Sequence, residues 1–208
     1  MKKTILILCL IIAFISCSKP QAPLPDVVIE GFTKHEIEGI GSVQIPPSMR
    51  LDTLKEDNLD VYDAYADERI VFRQSESQDE NGNDRYARVS VVRIDSESLS
   101  QKDIARGTKE ELSEVNAETE PLYRLNLRNM NMEITKWETV SVRKIGSKYC
   151  MVLKYYRTSS FSSITDVCVE LLIFPMGSSN VVFTLSYRIS DGIWEEYFKN
   201  IARSINVN

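Results

Sequence analysis

The stretch YCMVLKYYR, residues 149–157, decides the fold. Tyr149, Met151, Leu153 and Tyr155 fall on one face at a period of two, which is the period of a strand. Cys150, Val152 and Tyr156 make the other face nearly as apolar. A strand that is apolar on both faces needs cover on both sides. Working outward, residues 134–145 form the preceding strand and 166–174 the following one, with Val167, Val169, Leu171 and Ile173 on one face. Residues 181–189 form the next, with Val181, Phe183, Leu185, Tyr187 and Ile189. Short polar loops at 158–163 and 176–180 make the set an antiparallel meander.

The cover comes from helices. Residues 193–205 carry Ile193, Trp194, Tyr197, Phe198, Ile201, Ala202 and Ile205 as one broad apolar stripe. Ser190 or Asp191 caps this helix. Glu195 and Glu196 sit in its first turn, with Lys199 and Arg203 near its end, as the helix dipole favours. An earlier helix starts at Ser100, with Asp103 in its first turn, and places Ile104, Thr108, Leu112 and Val115 on one face. Gly107 weakens it by about 1 kcal/mol. A second short helix is expected over 119–130, with Thr119 as cap and Pro121 in its first turn.

Towards the N-terminus, residues 34–40 and 42–45 read as two short strands about Gly39 and Gly41, stopped by Pro46-Pro47. Residues 69–74 and 86–94 are strands joined by a polar loop at 75–84, where Asn81-Gly82 is a hairpin turn signal. Residues 48–67 fit neither period. The expected class is α+β, an antiparallel sheet flanked by helices.

The first seventeen residues speak to location. Lys2 and Lys3 precede an apolar run at 5–15 that ends in Ser16-Cys17. The run has the length of a secretory leader, well short of the roughly 20 apolar residues a membrane span needs. Phe14-Ile15-Ser16-Cys17 resembles a bacterial lipobox, with Phe14 departing from the usual leucine. That motif implies lipidation of Cys17 and a membrane partner through the lipid anchor. Residues 1–16 are then the signal peptide, and 17–26, with three prolines, a tether. Nine such residues in polyproline geometry reach roughly 28 Å. Residues 27–208 form one domain. Lys19 and the absence of acids just after Cys17 favour periplasmic display, by analogy with lipoprotein sorting signals.

Removing residues 1–16 leaves 23 basic and 30 acidic residues, a formal charge of −7. An acidic chain is a poor partner for nucleic acid or an anionic bilayer. Two cysteines remain in the domain, in a compartment that permits disulfides. Cys150 and Cys168 are a candidate disulfide, bridgeable only if an asymmetric loop sets them opposite one another. The alternative is two small buried hydrophobes.

The order of elements then becomes recognisable. VQIPPSM at 43–49 is followed by the hairpin ERIVFRQ…RYARVSVVRI and a helix. KIGSKYCMVLKYY, CVELLIF and VVFTLSYRI come next, and WEEYFKNIARSINV closes the chain. Residues 34–207 resemble the PsbP-like superfamily, which includes small import factors and bacterial lipoproteins. The resemblance implies an α/β/α sandwich around an antiparallel sheet, and binding or scaffolding roles more often than catalysis. It supplies no catalytic motif.

No catalytic constellation is visible in the residues either, so no catalytic residue is assigned. The single histidine, His35, reads as a surface residue, without a nucleophile partner. One histidine and no close cysteine pair make zinc a poor fit, and no metal or cofactor is expected. Asp79, Glu80, Asn81, Asn83 and Asp84 offer oxygen ligands for calcium, but Gly82 and Ser90 stand wrongly for an EF-hand. Asp60, Asp63, Asp67 and Glu68 read as a solvated face. Tyr155, Tyr156, Phe183 and Tyr187 are core positions or the lining of a groove. The leading expectation is a lipid-anchored module that binds a protein partner. A carrier of a small apolar ligand in a sheet–helix pocket is the alternative, and an envelope hydrolase the third.

Overall fold

The computed structural model describes residues 27–52, 69–76, 78, 85–159 and 166–208. Seven strands form one antiparallel sheet: β3 (Met49–Asp52), β4 (Arg69–Gln74), β5 (Ala87–Asp95), β6 (Met132–Ile145), β7 (Lys148–Ser159), β8 (Val167–Pro175) and β9 (Ser179–Arg188). Their spatial order is β3-β4-β5-β9-β8-β7-β6. The meander from β6 to β9 is therefore as expected, and β9 hands the sheet on to the earlier hairpin. A small second sheet joins β1 (Thr33–Ile37), β2 (Gly41–Ile45) and β10 (Asn206–Val207) in the order β1-β2-β10. Strands β3 and β10 lie where the sequence carries no period.

The large sheet is covered on both faces, as the doubly apolar strands require. On one face Val89, Val152, Leu172, Phe183 and Leu185 pack with Val43 and Ile45 of β2 and with Trp194, Phe198, Ile201 and Ile205. The last four lie on or just beyond α3 (Trp194–Ser204), the aromatic helix of the sequence. On the other face Met151, Leu153, Tyr155, Val169, Leu171 and Ile173 pack with Ile104, Tyr123 and Leu127. The result is an α/β/α sandwich with a small sheet added to the α3 layer.

The first helical layer differs from expectation. The chain forms α1 (Gln101–Arg106) and then α2 (Lys109–Asn129). Thr108 is not a face residue of one helix. It caps α2, accepting from Glu111 N at 3.2 Å while Glu111 Oε2 accepts from Thr108 N at 2.8 Å. Ser100 and Asp103 make the same reciprocal cap on α1. Gly107, with ψ 125°, is the break that separates the two helices. Thr119 and Pro121 lie inside α2 rather than at its start. Proline there removes one backbone donor, and the exposed outer face of the helix tolerates that loss. At α3 the capping expectation fails as well: Ile193 precedes the helix and no side chain caps it. Asp191 instead accepts from Trp194 Nε1 at 3.0 Å.

Polar side chains lock the layers together. Gln101 Nε2 donates to Tyr149 O at 3.0 Å and to Pro175 O at 2.9 Å, while Tyr149 N donates back to Gln101 Oε1 at 2.7 Å. Gly41 has φ +144°, and a side chain there would run into the Asn206 carbonyl. Only glycine lets β10 lie so close to β2. Strand β6 is an outer edge of the large sheet, and it has register irregularities between Ile134 and Lys136 and between Glu138 and Ser141. Helix α2 seals both. Arg124 Nη1 donates to Ile134 O at 2.8 Å. Asn116 Oδ1 accepts from Val140 N at 3.1 Å and from Trp137 Nε1 at 2.8 Å.

Asn116 is therefore the acceptor for two donors that the fold withdraws from water. Replacing it, Asn116→Ala, is expected to lower the unfolding free energy by about 1–3 kcal/mol with little change in the denaturant slope. Urea titration followed by tryptophan fluorescence measures this. A wild-type midpoint would show that the edge is not held from α2.

Candidate functional site

Helix α3 and the small sheet cover only part of their side of the large sheet. Towards β6 the same face carries polar rows. In one, Lys136 lies opposite Tyr156, Tyr156 opposite Cys168, and Cys168 opposite Tyr187. In the next, Glu138, Lys154 and Glu170 follow one another across three strands. These residues are far apart in sequence, and strand register alone brings them together.

Their geometry is closely coupled. Tyr156 Oη donates to Glu138 Oε1 at 3.1 Å. Lys136 Nζ lies 3.2 Å from the same oxygen and 4.7 Å from the Tyr156 ring centre. Lys154 Nζ lies 3.9 Å from Glu138 Oε1. Arg143 Nη2 lies 2.8 Å from Glu170 Oε1. Tyr187 stacks on Phe198 of α3, with ring centres 5.2 Å apart.

The charges of this face are fixed. Burial opposes the Glu138 carboxylate, but hydrogen bonds from Lys136 and Tyr156 outweigh it and hold the pKa below the ordinary value. Burial also opposes the Lys154 ammonium, yet Cys168, Tyr156 and Glu138 keep its pKa raised. The Cys168, Tyr156 and Tyr187 protons are held chiefly by burial, which pushes each pKa up. None of these shifts moves a group towards neutrality, where acid–base catalysis operates. The ion pairs, hydrogen bonds and aromatic contacts of this face are made among its own residues.

The sequence candidates fall as follows. Cys150 and Cys168 are both free, buried thiols, so the candidate disulfide is not formed. The strands are neighbours, but their register sets Cys168 opposite Tyr156. Cys150 is six positions away along β7, or about 20 Å, against the ~7 Å that a bridge allows. Tyr155 and Phe183 are core residues, whereas Tyr156 and Tyr187 line the polar rows. His35 is half-buried rather than superficial: its ring lies 4.8 Å from Phe72, and burial lowers its pKa. Cys17, the tether, the loop acids Asp79, Glu80 and Asp84, and Asp60, Asp63, Asp67 and Glu68 lie outside the described residues. Among the described residues no cluster of three or more His, Cys, Asp or Glu side chains could hold a metal.

A groove of about 500 Å³ opens where α2 ends, lined by Arg128, Asn131, Met132, Glu133, Thr158 and Ser159. Five of these six residues are polar, so it is not the apolar sheet–helix pocket that a lipophilic carrier needs. Asn116, Gln101 and Gln44, which fix the geometry around both faces, carried no signal in the sequence. Each bonds to backbone at least fifteen residues away.

A solved structure shares this architecture. The solution structure of cyanobacterial PsbP from Synechocystis superposes with a TM-score of 0.53 over 93% of this chain and 98% of that one, at 14% identity. At that identity the likeness is one of fold, and the fold is PsbP-like. LpqN of Mycobacterium tuberculosis, described as involved in cell envelope biogenesis, aligns with a TM-score of 0.42, at 13% identity, over 88% of this chain and 99% of that one. No protein-family model and no curated protein sequence matches the chain.

Burial pushes the Cys150 thiol from 9.0 up to about 12. In the native protein neither it nor Cys168 should react with a thiolate-selective reagent at pH 8, and both should react in denaturant. The unfolded thiol loses its proton first, so unfolding becomes easier as pH rises from about 9 towards 12. Denaturation midpoints should fall over that window. Rapid labelling of either native thiol at pH 8 would contradict the burial described here.

Proposed function

We propose that this chain is a lipid-anchored lipoprotein of the bacterial cell envelope. Its PsbP-like domain binds or organises a partner protein beside the membrane and catalyses no reaction of its own. The observation that carries the reading is Cys17, placed directly after an apolar run of secretory length and ahead of a proline-containing stretch. Diacylation of that cysteine gives a stable anchor, at about 0.8 kcal/mol per buried methylene. Lys19, with no acid nearby, favours display towards the periplasm.

The domain's build is consistent with a held, presenting module. Gln44, itself buried, grips the start of the described chain: its Nε2 donates to Val27 O, and Ile29 N donates to its Oε1 at 2.9 Å. Gln44 N in turn donates to Ser204 Oγ at 2.9 Å, at the end of α3. The chain at Val27 and Ile29 is thereby fastened to the small sheet and, through Gln44, to the end of α3. Among the described residues no helix is long and apolar enough to cross a membrane, so in this reading attachment rests on the lipid. The acidic balance supports a protein partner over nucleic acid.

The test compares intact cells expressing the wild type and Cys17→Ala. The wild-type protein should fractionate with membranes, carry an acyl mass increment and yield crosslinked partners. The variant should lose the acyl mass, leave the membrane fraction and lose those partners. A variant that stays membrane-bound would remove the anchor from the reading. A hydrolytic or transfer activity abolished by one point substitution would remove the non-catalytic role.

A further inference from the structure

The outward side of α2 presents one continuous stripe. Glu110, Glu114 and Glu118 succeed one another a turn apart, and Pro121, Leu122 and Leu125 continue the same face. All six residues are exposed, Leu122 by 38% and Leu125 by 57%. The opposite side of the helix is the buried one, with Tyr123 and Leu127 in the core. From Glu110 to Leu125 the stripe runs about 22 Å.

Two features of this face have no explanation inside the domain. Carboxylates at i, i+4 repel one another, and none of the positions between Glu110 and Leu125 on the stripe is a lysine or arginine. Arg124, the one cation within that span, is turned inward. It is held by Glu120 at 2.7 Å and by the Ile134 carbonyl at 2.8 Å. Glu110 benefits from the helix N-terminus, but Glu114 and Glu118 lie beyond the first turn, where that benefit fades. Two neighbouring leucines are left in water at the end of the same stripe, where nothing in the described domain covers them. A surface that places an apolar pair beside a run of like charge matches a segment of opposite charge with its own apolar stripe.

We propose that the α2 face from Glu110 to Leu125 docks a basic amphipathic helix of a partner protein. Cations at helical spacing would meet Glu110, Glu114 and Glu118, and apolar residues would cover Leu122 and Leu125. The inference rests on the partner-binding reading above and gives that partner a chemistry. It also separates two faces of the domain, since the tether enters at the small sheet and α2 lies in the opposite layer.

The experiment uses the full-length lipoprotein purified in mild detergent. Its probes are a fluorescent amphipathic peptide of eighteen leucines and lysines and a counterpart in which every lysine is glutamate. The basic peptide should bind, weaken with added salt, and bind about tenfold less tightly to Glu114→Gln/Glu118→Gln. Leu122→Ser/Leu125→Ser should weaken it comparably, and the acidic peptide should not bind. Both double variants change exposed positions, and circular dichroism should show wild-type folding. Equal binding to the wild type and to both variants would overturn the assignment to α2. Self-association of the lipoprotein that disappears in Leu122→Ser/Leu125→Ser would overturn it in favour of a second copy. Partners crosslinked in intact cells that persist in both variants would overturn this inference alone, and the general partner-binding reading would stand.

Discussion

Strands β7 and β8 are apolar on both faces, and that single constraint shapes the molecule. Leaving either face wet would expose whole rows of leucine, valine and phenylalanine. Each fully buried side chain of that kind is worth roughly 1.5–3 kcal/mol. One face is closed by α1 and α2, the other by α3 with the small sheet. Neither layer suffices alone. The early hairpin β4–β5 joins the meander through β9, extending the sheet beneath the same two layers.

Hydrophobic cover brings the layers together without fixing how they sit. That is done by a few polar side chains reaching backbone across layers. Gln101 pins α1 to the ends of β7 and β8. Asn116 and Arg124 pin α2 to β6 at its two irregularities. Gln44 and Ser204 pin β2 to the end of α3 and to the entry of the chain. The β6 contacts also bear on assembly. An exposed edge strand invites pairing with another chain, and breaks in register with side-chain seals discourage it. At the β6 edge, strand addition by another chain is thereby disfavoured.

Two exposed faces then stand out, and they differ in kind. The polar rows of β6, β7 and β8 are internally satisfied: each charge already has a partner, and the Tyr156 ring lies beneath Lys136. The outer face of α2 is unsatisfied, with like charges in series and leucines in water. A satisfied face changes little on binding, whereas an unsatisfied one has more to gain. That contrast, rather than any single residue, is what supports the proposal of a partner surface on α2.

The sequence by itself determined the class and the layers. Period-two alternation on both faces of 149–157 required a sheet covered twice, and the broad stripe of 193–205 supplied one of the covers. Local rules also located the Ser100–Asp103 cap of α1 but not the Thr108–Glu111 cap of α2, because the spacing of Thr108 from Ile104 and Leu112 equally fits the face of one longer helix. Only the tertiary structure decided the rest, because it depends on register and on contacts between distant residues. Whether Cys150 and Cys168 meet is a matter of six positions along β7, invisible in a hairpin whose loop can be asymmetric. That Tyr156 faces Glu138 and Lys136, while Tyr155 beside it is core, follows from the order of strands and not from the residue types. Strand β10, two residues long, exists only because Gly41 lets it approach, and no local pattern encodes a partner so far away.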